Sequence, residues 1–347
     1  MTWKSPKHRR TRKARKNKHR KKTKKRRKSR KTKKHKSRNS SIPELSLFKD
    51  LTRIHSPASQ EERATNFLMK YINENKKSWK YKPRVFNGGN FKNNIVLVFG
   101  KPKLAVFSHV DNVGFTVAHE KTLLPIGGPE FLKNAKLRGY DSNGTYVETK
   151  LRLKKYQLLH SKKDNIEIGT NLTYLPDWTM KNKFLQSGNI DDKFGVLMGL
   201  LLAKTLKNGI IVFSAGEEIE TGNLPFLIKF LFERYKIKNT VIADVTMKEK
   251  NLKMGKGPCV TIRDEDIPDR KYVDRVIHIL RDKMADFQIA VGDEGSSDGK
   301  AIMLSPYPVD TVFIGPCIKN MHTPHEIIHV NDFSKTLKVL QILFQNI

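Results

Sequence analysis

The chain has 347 residues, with 68 Lys or Arg against 34 Asp or Glu and a formal net charge of +34. The excess is uneven: residues 1–40 hold 23 Lys or Arg and no acidic residue, so the rest is an ordinary, mildly basic globular sequence. Two cysteines in no metal-like spacing argue against a disulfide framework, and no apolar run approaches the ~20 residues of a membrane span.

The first 40 residues, with "KHRRTRKARKNKHRKKTKKRRKSRKTKKHK" at their heart, have almost no apolar side chain. Such a segment cannot bury a core and is expected to be a disordered tail. It lacks the apolar centre of a secretory signal and the amphipathic pattern of a membrane-surface helix. Its physical consequence is salt-sensitive attraction to polyanions through counterion release. Lys21, Lys22, Arg26 and Arg27 are its candidate nucleic-acid contacts. A receptor-read address or a solubilising extension fits the same composition. The expectation is an intracellular, cytoplasmic protein with nuclear or nucleic-acid association left open and no membrane contact.

From residue 41 the pattern becomes globular. "SQEERATNFLMKYI" (59–72) opens on a capping-box signature, Ser59 then Glu62, and continues with Ala64, Phe67, Leu68 and Tyr71 at helical spacing. Apolar runs at 94–100, 103–110, 209–216, 240–245 and 310–316 predict buried strands. Helical patterns at 192–206, 224–235, 267–285 and 331–344 lie among them. This alternation predicts an α/β fold: a mixed, mostly parallel sheet flanked by helices. The stretch 119–186 is different, polar and rich in turns. "AKLRGYDSNGTYVETK" predicts a hairpin around Asn143-Gly144, and "IEIGTNLTYL" (166–175) a strand pair or a bent strand. The expected division is therefore a tail at 1–40, an α/β domain formed by 41–118 and 187–347, and a small all-β insert at 119–186.

The polar residues that end the apolar strands carry the chemistry. "AVFSHVD" delivers His109 and Asp111, "IIVFSAGEE" delivers Glu217 and Glu218, and "VIAD" delivers Asp244. Ligands of open α/β sheets bind beyond the carboxyl ends of strands, so these side chains are aimed at one edge. Asp191 and Asp192 stand before a core helix, and His322 follows the last strand. Imidazoles and carboxylates without thiolates suit zinc, cobalt or manganese. Five ligands are too many for one catalytic zinc but serve two metals that share a carboxylate. Of two adjacent glutamates, one can bind a metal while its neighbour serves as general base. Each piece also has a plainer reading: His-x-Asp as structural, Asp-Asp as a helix cap, Glu-Glu as solvated surface, Asp244 as a cap. Their joint placement at strand ends favours the site.

These residues, in the order "SHVDNVGF", "IGG" (126–128), "NIDDKFG", "GEEIETGN", "VIADVT", "GDEGSSDGKAI" and "MHTPHE", give a chain that resembles the dodecameric, tetrahedral-type di-zinc aminopeptidases, glutamyl and deblocking enzymes among them. The resemblance runs from about residue 45 to the end. It implies a di-zinc peptidase fold, peptide substrates, two divalent metal ions and a homo-oligomer. By position it implies Asp191 as the carboxylate shared by both metals, His109 and Asp244 on one, and Glu218 and His322 on the other. It further implies Glu217 as general acid/base and Asp111 as the group that orients His109. The insert falls between Asp111 and Asp191, whereas related di-zinc deacylases carry theirs after the Glu-Glu pair. The chain departs from the family in a shorter insert, in Lys193 where arginine is usual, in the wording "GSSDGKAI", and in its tail. The rival readings are a nucleic-acid-associated protein with a peptidase-like module and a di-zinc deacylase.

Overall fold

The computed structural model describes residues 43–347 apart from 221, 294 and 296. The tail reading, with Lys21, Lys22, Arg26 and Arg27, lies outside the described residues. Along the chain, α1 (Pro43–Thr52) and α2 (Glu62–Asn75) lead into β1 (Arg84–Asn87), β2 (Ile95–Phe99) and β3 (Leu104–His109). Then come β4 (Gly114–Val117), β5 (Leu123–Ile126), β6 (Lys136–Tyr140), β7 (Tyr146–Lys154), β8 (Gln157–His160), β9 (Asn171–Tyr174), β10 (Thr179–Lys181) and β11 (Phe184–Ser187). The second half holds α3 (Lys193–Ala203), β12 (Gly209–Ser214), α4 (Leu224–Tyr235), β13 (Asn239–Ile242), β14 (Thr246–Met247), β15 (Cys259–Arg263), α5 (Arg270–Asp282) and β16 (Gln288–Val291). It closes with α6 (Asp298–Met303), β17 (Asp310–Gly315), β18 (Cys317–Ile318), β19 (Glu326–His329) and α7 (Asn331–Asn346). No helix among the described residues is long and apolar enough to cross a membrane.

Eight strands form the main sheet in the order β1-β2-β12-β3-β13-β17-β15-β16. Its centre, β12-β3-β13-β17, is parallel, and antiparallel pairs flank it. All positions of β2, β3 and β12 are buried, as expected of strands covered on both faces. Alternate residues feed two cores. Ile95, Leu97, Phe99, Val106, Ile211 and Phe213 pack with α1, α2, α3, α5 and α7. Val96, Val98, Ala105, Phe107, Ile210 and Val212 pack with α4 and α6. Every residue of α3 is buried, so this helix is apolar all round rather than amphipathic.

A second, six-stranded sheet runs in the order β5-β4-β9-β6-β7-β8. A bridge between Thr122 and Leu159 joins its two ends, closing it into a small barrel around Phe115, Leu137, Leu151, Leu172 and Tyr174. The period-two burial of β7 shows the barrel-facing alternation. The hairpin forms where Asn143-Gly144 predicts it, but with a longer loop. Asp141 Oδ1 accepts from the N–H groups of Asn143 (3.0 Å) and Thr145 (2.8 Å), and Gly144 takes a left-handed φ of 78°. Of 166–175, only β9 is strand. The capping box does not form: Glu61, not the Ser59 hydroxyl, organises the start of α2, its Oε1 accepting the Ser59 N–H at 2.7 Å.

Candidate metal centre

The parallel register gathers the site. His109, the last residue of β3, lies beside Ser214, the last of β12, and Ile242 of β13 pairs with Phe107. Asp244, Glu217 and Glu218 therefore leave neighbouring strand ends beside His109. Gly315 permits the closest approach: a Cβ there would lie 1.3 Å from the Asp244 carbonyl oxygen. The Asp191–Asp192 peptide is cis and precedes α3.

All five expected ligands converge. His109 Nε2 lies 3.1 Å from Asp191 Oδ1 and 3.7 Å from Asp244 Oδ2. His322 Nε2 lies 3.3 Å from Asp191 Oδ2 and 3.5 Å from Glu218 Oε2. Asp191 thus turns one oxygen to each imidazole. Glu217 Oε2 is 3.8 Å from His109 Nε2. Potential ligand atoms of His109, Asp191 and Glu218 lie within 4.8 Å of one another, as do those of His109, Asp192 and Asp244. The two aspartates differ in their partners. Both oxygens of Asp192 are engaged by backbone N–H groups, Oδ1 by Gly195 at 2.8 Å and Oδ2 by His109 at 3.3 Å. Asp192 is the cap of α3.

Asp111 is completely buried, and its Oδ1 stands 3.5 Å from His109 Nδ1, which forms no hydrogen bond. Its closer partners are the N–H groups of Gly216 (3.0 Å), Glu217 (3.3 Å) and Glu218 (3.0 Å). One carboxylate therefore holds the turn that carries both glutamates. Behind it lies Lys193, also buried, whose Nζ donates to the carbonyls of Val110 and Asp111.

The electrostatics call for cations. Burial, together with like charge from Glu218 and Asp244, pushes the Glu217 carboxyl well above its ordinary range. Burial likewise raises Glu218 to about 7 and Asp244 to about 8. Burial would raise Asp191 too, but hydrogen bonds to His109 and His322 override it and hold that carboxyl below the usual range. A nest of mutually repelling buried carboxylates around two imidazoles, all nitrogen and oxygen donors, fits a pair of divalent cations.

Three contributors escape a reading of the sequence. Glu326 is buried beside Asp191 and His322 within the quoted "MHTPHE". Asp298, in "GSSDGKAI", accepts a 2.5 Å hydrogen bond from Ser214 Oγ. Gly315 carries no chemical signal at all. A cavity of about 670 Å³, lined by Glu217, Asp244, Thr261, Phe313 and Met321 among others, opens onto the cluster. A smaller one of about 260 Å³ reaches Glu217 and Glu218 together with Asp298 and Leu304.

An α/β sheet that gathers one buried and one half-buried imidazole among carboxylates at its strand ends is a layout suited to a metallohydrolase. The sequence profile of the family described as M42 glutamyl aminopeptidase matches residues 157–339, more than half of the chain. The chain belongs to this family and is a metal-dependent aminopeptidase. It is similar in fold to the TET1 peptidase of Pyrococcus horikoshii, at 19% identity and a TM-score of 0.71, covering 88% of this chain and 100% of that one. A TET aminopeptidase from a marine sediment Thaumarchaeota archaeon superposes with a TM-score of 0.77 at 14% identity, over 88% of this chain and 97% of that one. An aminopeptidase from Desulfurococcus kamchatkensis gives 0.75 at 18% identity, over 88% and 95%.

Proposed function

We propose that the chain removes amino-terminal residues from unblocked peptides at two divalent cations, zinc first, with cobalt or manganese as alternatives. His109 and Asp244 would hold one cation, Glu218 and His322 the other, and Asp191 both. The observation that carries this assignment is the split of Asp191, Oδ1 toward His109 and Oδ2 toward His322. When bound, the cation pair supplies Lewis acidity at the peptide carbonyl and makes water ionisable near neutral pH. Glu217 takes the proton of the attacking water and delivers it to the leaving amine. Burial that raises its proton affinity supports this assignment. Asp111 keeps Glu217 and Glu218 in place by holding the backbone of their turn and flanks His109. The stretch 119–186 supplies β5 to β9 of the barrel, is joined there by β4 from the preceding stretch, and acts as an insert in a catalytic domain built from 41–118 and 187–347.

Glu217→Gln tests the assignment. Turnover of short unblocked peptides should fall about 10²–10⁴-fold, the usual contribution of a general base. Cation content by mass spectrometry should stay at two per chain, and a chelator should abolish release of free amino acid by the unsubstituted protein. Unchanged turnover removes Glu217 from this role.

The 23 basic residues of 1–40 favour a second, compatible property: retention on nucleic acid or another polyanion through Lys21, Lys22, Arg26 and Arg27, inside the cell. Deleting residues 1–40 should abolish salt-sensitive RNA or DNA binding and spare hydrolysis of small peptides. The Pyrococcus horikoshii TET1 peptidase can assemble into a tetrahedron or a large octahedral shell. A homo-oligomer is accordingly proposed for this chain, to be read by light scattering.

A further inference from the structure

We infer that Glu326 is a positioning residue that ties together the two backbone segments bearing Asp191 and His322, and so fixes the spacing of the cation pair. The inference rests on the metal-site reading above. Glu326 lies on β19, opposite Ser187 of β11, and is 2% exposed. Its Oε2 accepts the N–H groups of Ile190 at 2.6 Å and Asp191 at 3.3 Å. Its Oε1 accepts the N–H of His322 at 2.9 Å. One carboxylate thus spans from the ligand that faces both imidazoles to the ligand of the second position.

Both segments need holding. His322 has a φ of 60° and Asn189 one of 61°, left-handed conformations that are uncommon outside glycine. The His322 ring is fixed separately, its Nδ1 lying 2.9 Å from the carbonyl oxygen of Gly128, which leaves Nε2 for Asp191 and Glu218. Gly128 restrains the ring and Glu326 the backbone. Three N–H groups converging on two oxygens require an acceptor-only group. An ionised carboxylate meets that need, whereas an amide presents an N–H of its own to one of the donors. A carboxylate one methylene shorter does not reach both segments. Burial and the neighbouring Asp191 charge disfavour a second carboxylate here, and the hydrogen bonds from Ile190 and Asp191 oppose that penalty in part.

The test is zinc titration of metal-free protein against a chromogenic chelator, for the unsubstituted chain, Glu326→Gln and Glu326→Asp, with thermal melts of each metal-free form. The control is Asp332→Asn, which disturbs another buried carboxylate that accepts two backbone N–H groups, from Gly255 (2.7 Å) and Gly257 (2.8 Å), outside the ligand set. Partners that orient metal ligands are worth about 10–100-fold in metal affinity. Both Glu326 variants should therefore bind at least one zinc ion 10–100-fold more weakly, with turnover restored by excess zinc. Asp332→Asn should lower the melting temperature yet keep both zinc affinities. Zinc affinities in the Glu326 variants equal to those of the unsubstituted chain overturn the inference. So does an equal weakening in Asp332→Asn, which would make Glu326 a general staple of the fold. An unsubstituted chain that binds no zinc overturns the metal-site reading itself, and that outcome is distinct from both.

Discussion

Asp111→Asn asks how much the turn carrying Glu217 and Glu218 depends on the carboxylate beneath it. Asp111 accepts N–H groups from Gly216 and Glu217 at Oδ1 and from Glu218 at Oδ2. Asparagine keeps one acceptor oxygen, so two of these bonds survive as neutral ones and the third donor meets an NH₂. Losing a hydrogen bond to a charged group costs about 1.5–3 kcal/mol, and the surviving pair weakens by about 1 kcal/mol each. The substitution also removes a negative charge from beside the buried Lys193, which Asp111 helps keep protonated. The total is about 3.5–5 kcal/mol, divided between folding and the placement of Glu217. If about 3 kcal/mol of it falls on the transition state, turnover drops about 10²-fold. The assay is kcat and KM on an unblocked peptide at saturating zinc, with cation content and Tm taken on the same sample. The expected result is a hundredfold lower kcat, a KM within a factor of a few, and a lowered Tm. A kcat within twofold of the unsubstituted chain at equal cation content refutes the reasoning and shows that the turn holds itself.

Two further substitutions probe the surroundings of the site. Gly315→Ala should cost more than about 3 kcal/mol or prevent folding, because the new methyl collides with the Asp244 carbonyl and β13 and β17 are too tightly paired to yield; a melting temperature unchanged from the parent chain would contradict this. His55, buried near Arg138 and Arg63 with its Nδ1 3.1 Å from Thr173 Oγ1, has its pKa lowered from 6.5 to about 3, by burial first and the two guanidiniums next. The unfolded chain protonates His55 below pH 6.5 and the folded chain does not, so this stability is lost as pH falls from 6.5 toward 3. At pH 5 the loss is roughly 2 kcal/mol. His55→Gln should flatten the dependence of Tm on pH between 7 and 5, and superimposable profiles for the two proteins would rule His55 out.

What the sequence made legible follows from which interactions are local. Ile95–Phe99, Leu104–His109 and Gly209–Ser214 are apolar runs too short for a buried helix such as α3, so strand type and the aim of their terminal polar residues can be read from them. β1, β15 and β16 are mixed in polarity and lie at or near the sheet edges, where one-sided burial leaves little pattern. The barrel's hairpin is visible in Asn143-Gly144, but its closure rests on a bridge between Thr122 and Leu159 that no local signal encodes. Ser59 and Glu62 have capping-box spacing, yet Glu61 competes successfully for the Ser59 N–H, and single-sequence spacing cannot rank two adjacent glutamates.

The metal centre divides along the same line. His109, Asp191, Glu217, Glu218, Asp244 and His322 can be proposed because their joint placement, together with the motif resemblance, outweighs the plainer reading that each has alone. The groups that hold them act on backbone N–H groups, which every residue has, across long stretches of chain. Asp111 reaches forward to the turn at Gly216, and Glu326 reaches back to Ile190 and Asp191. Asp111 is within reach of a sequence reading because it ends an apolar strand two residues after His109. Glu326 follows His325 directly and His322 by four residues, yet its acidic side chain reads as solvated surface until the fold buries it. Ligands are thus written in residue type, while their spacing is written in tertiary contacts. For that reason the Glu326 variants should alter the affinity of the site without removing any ligand from it.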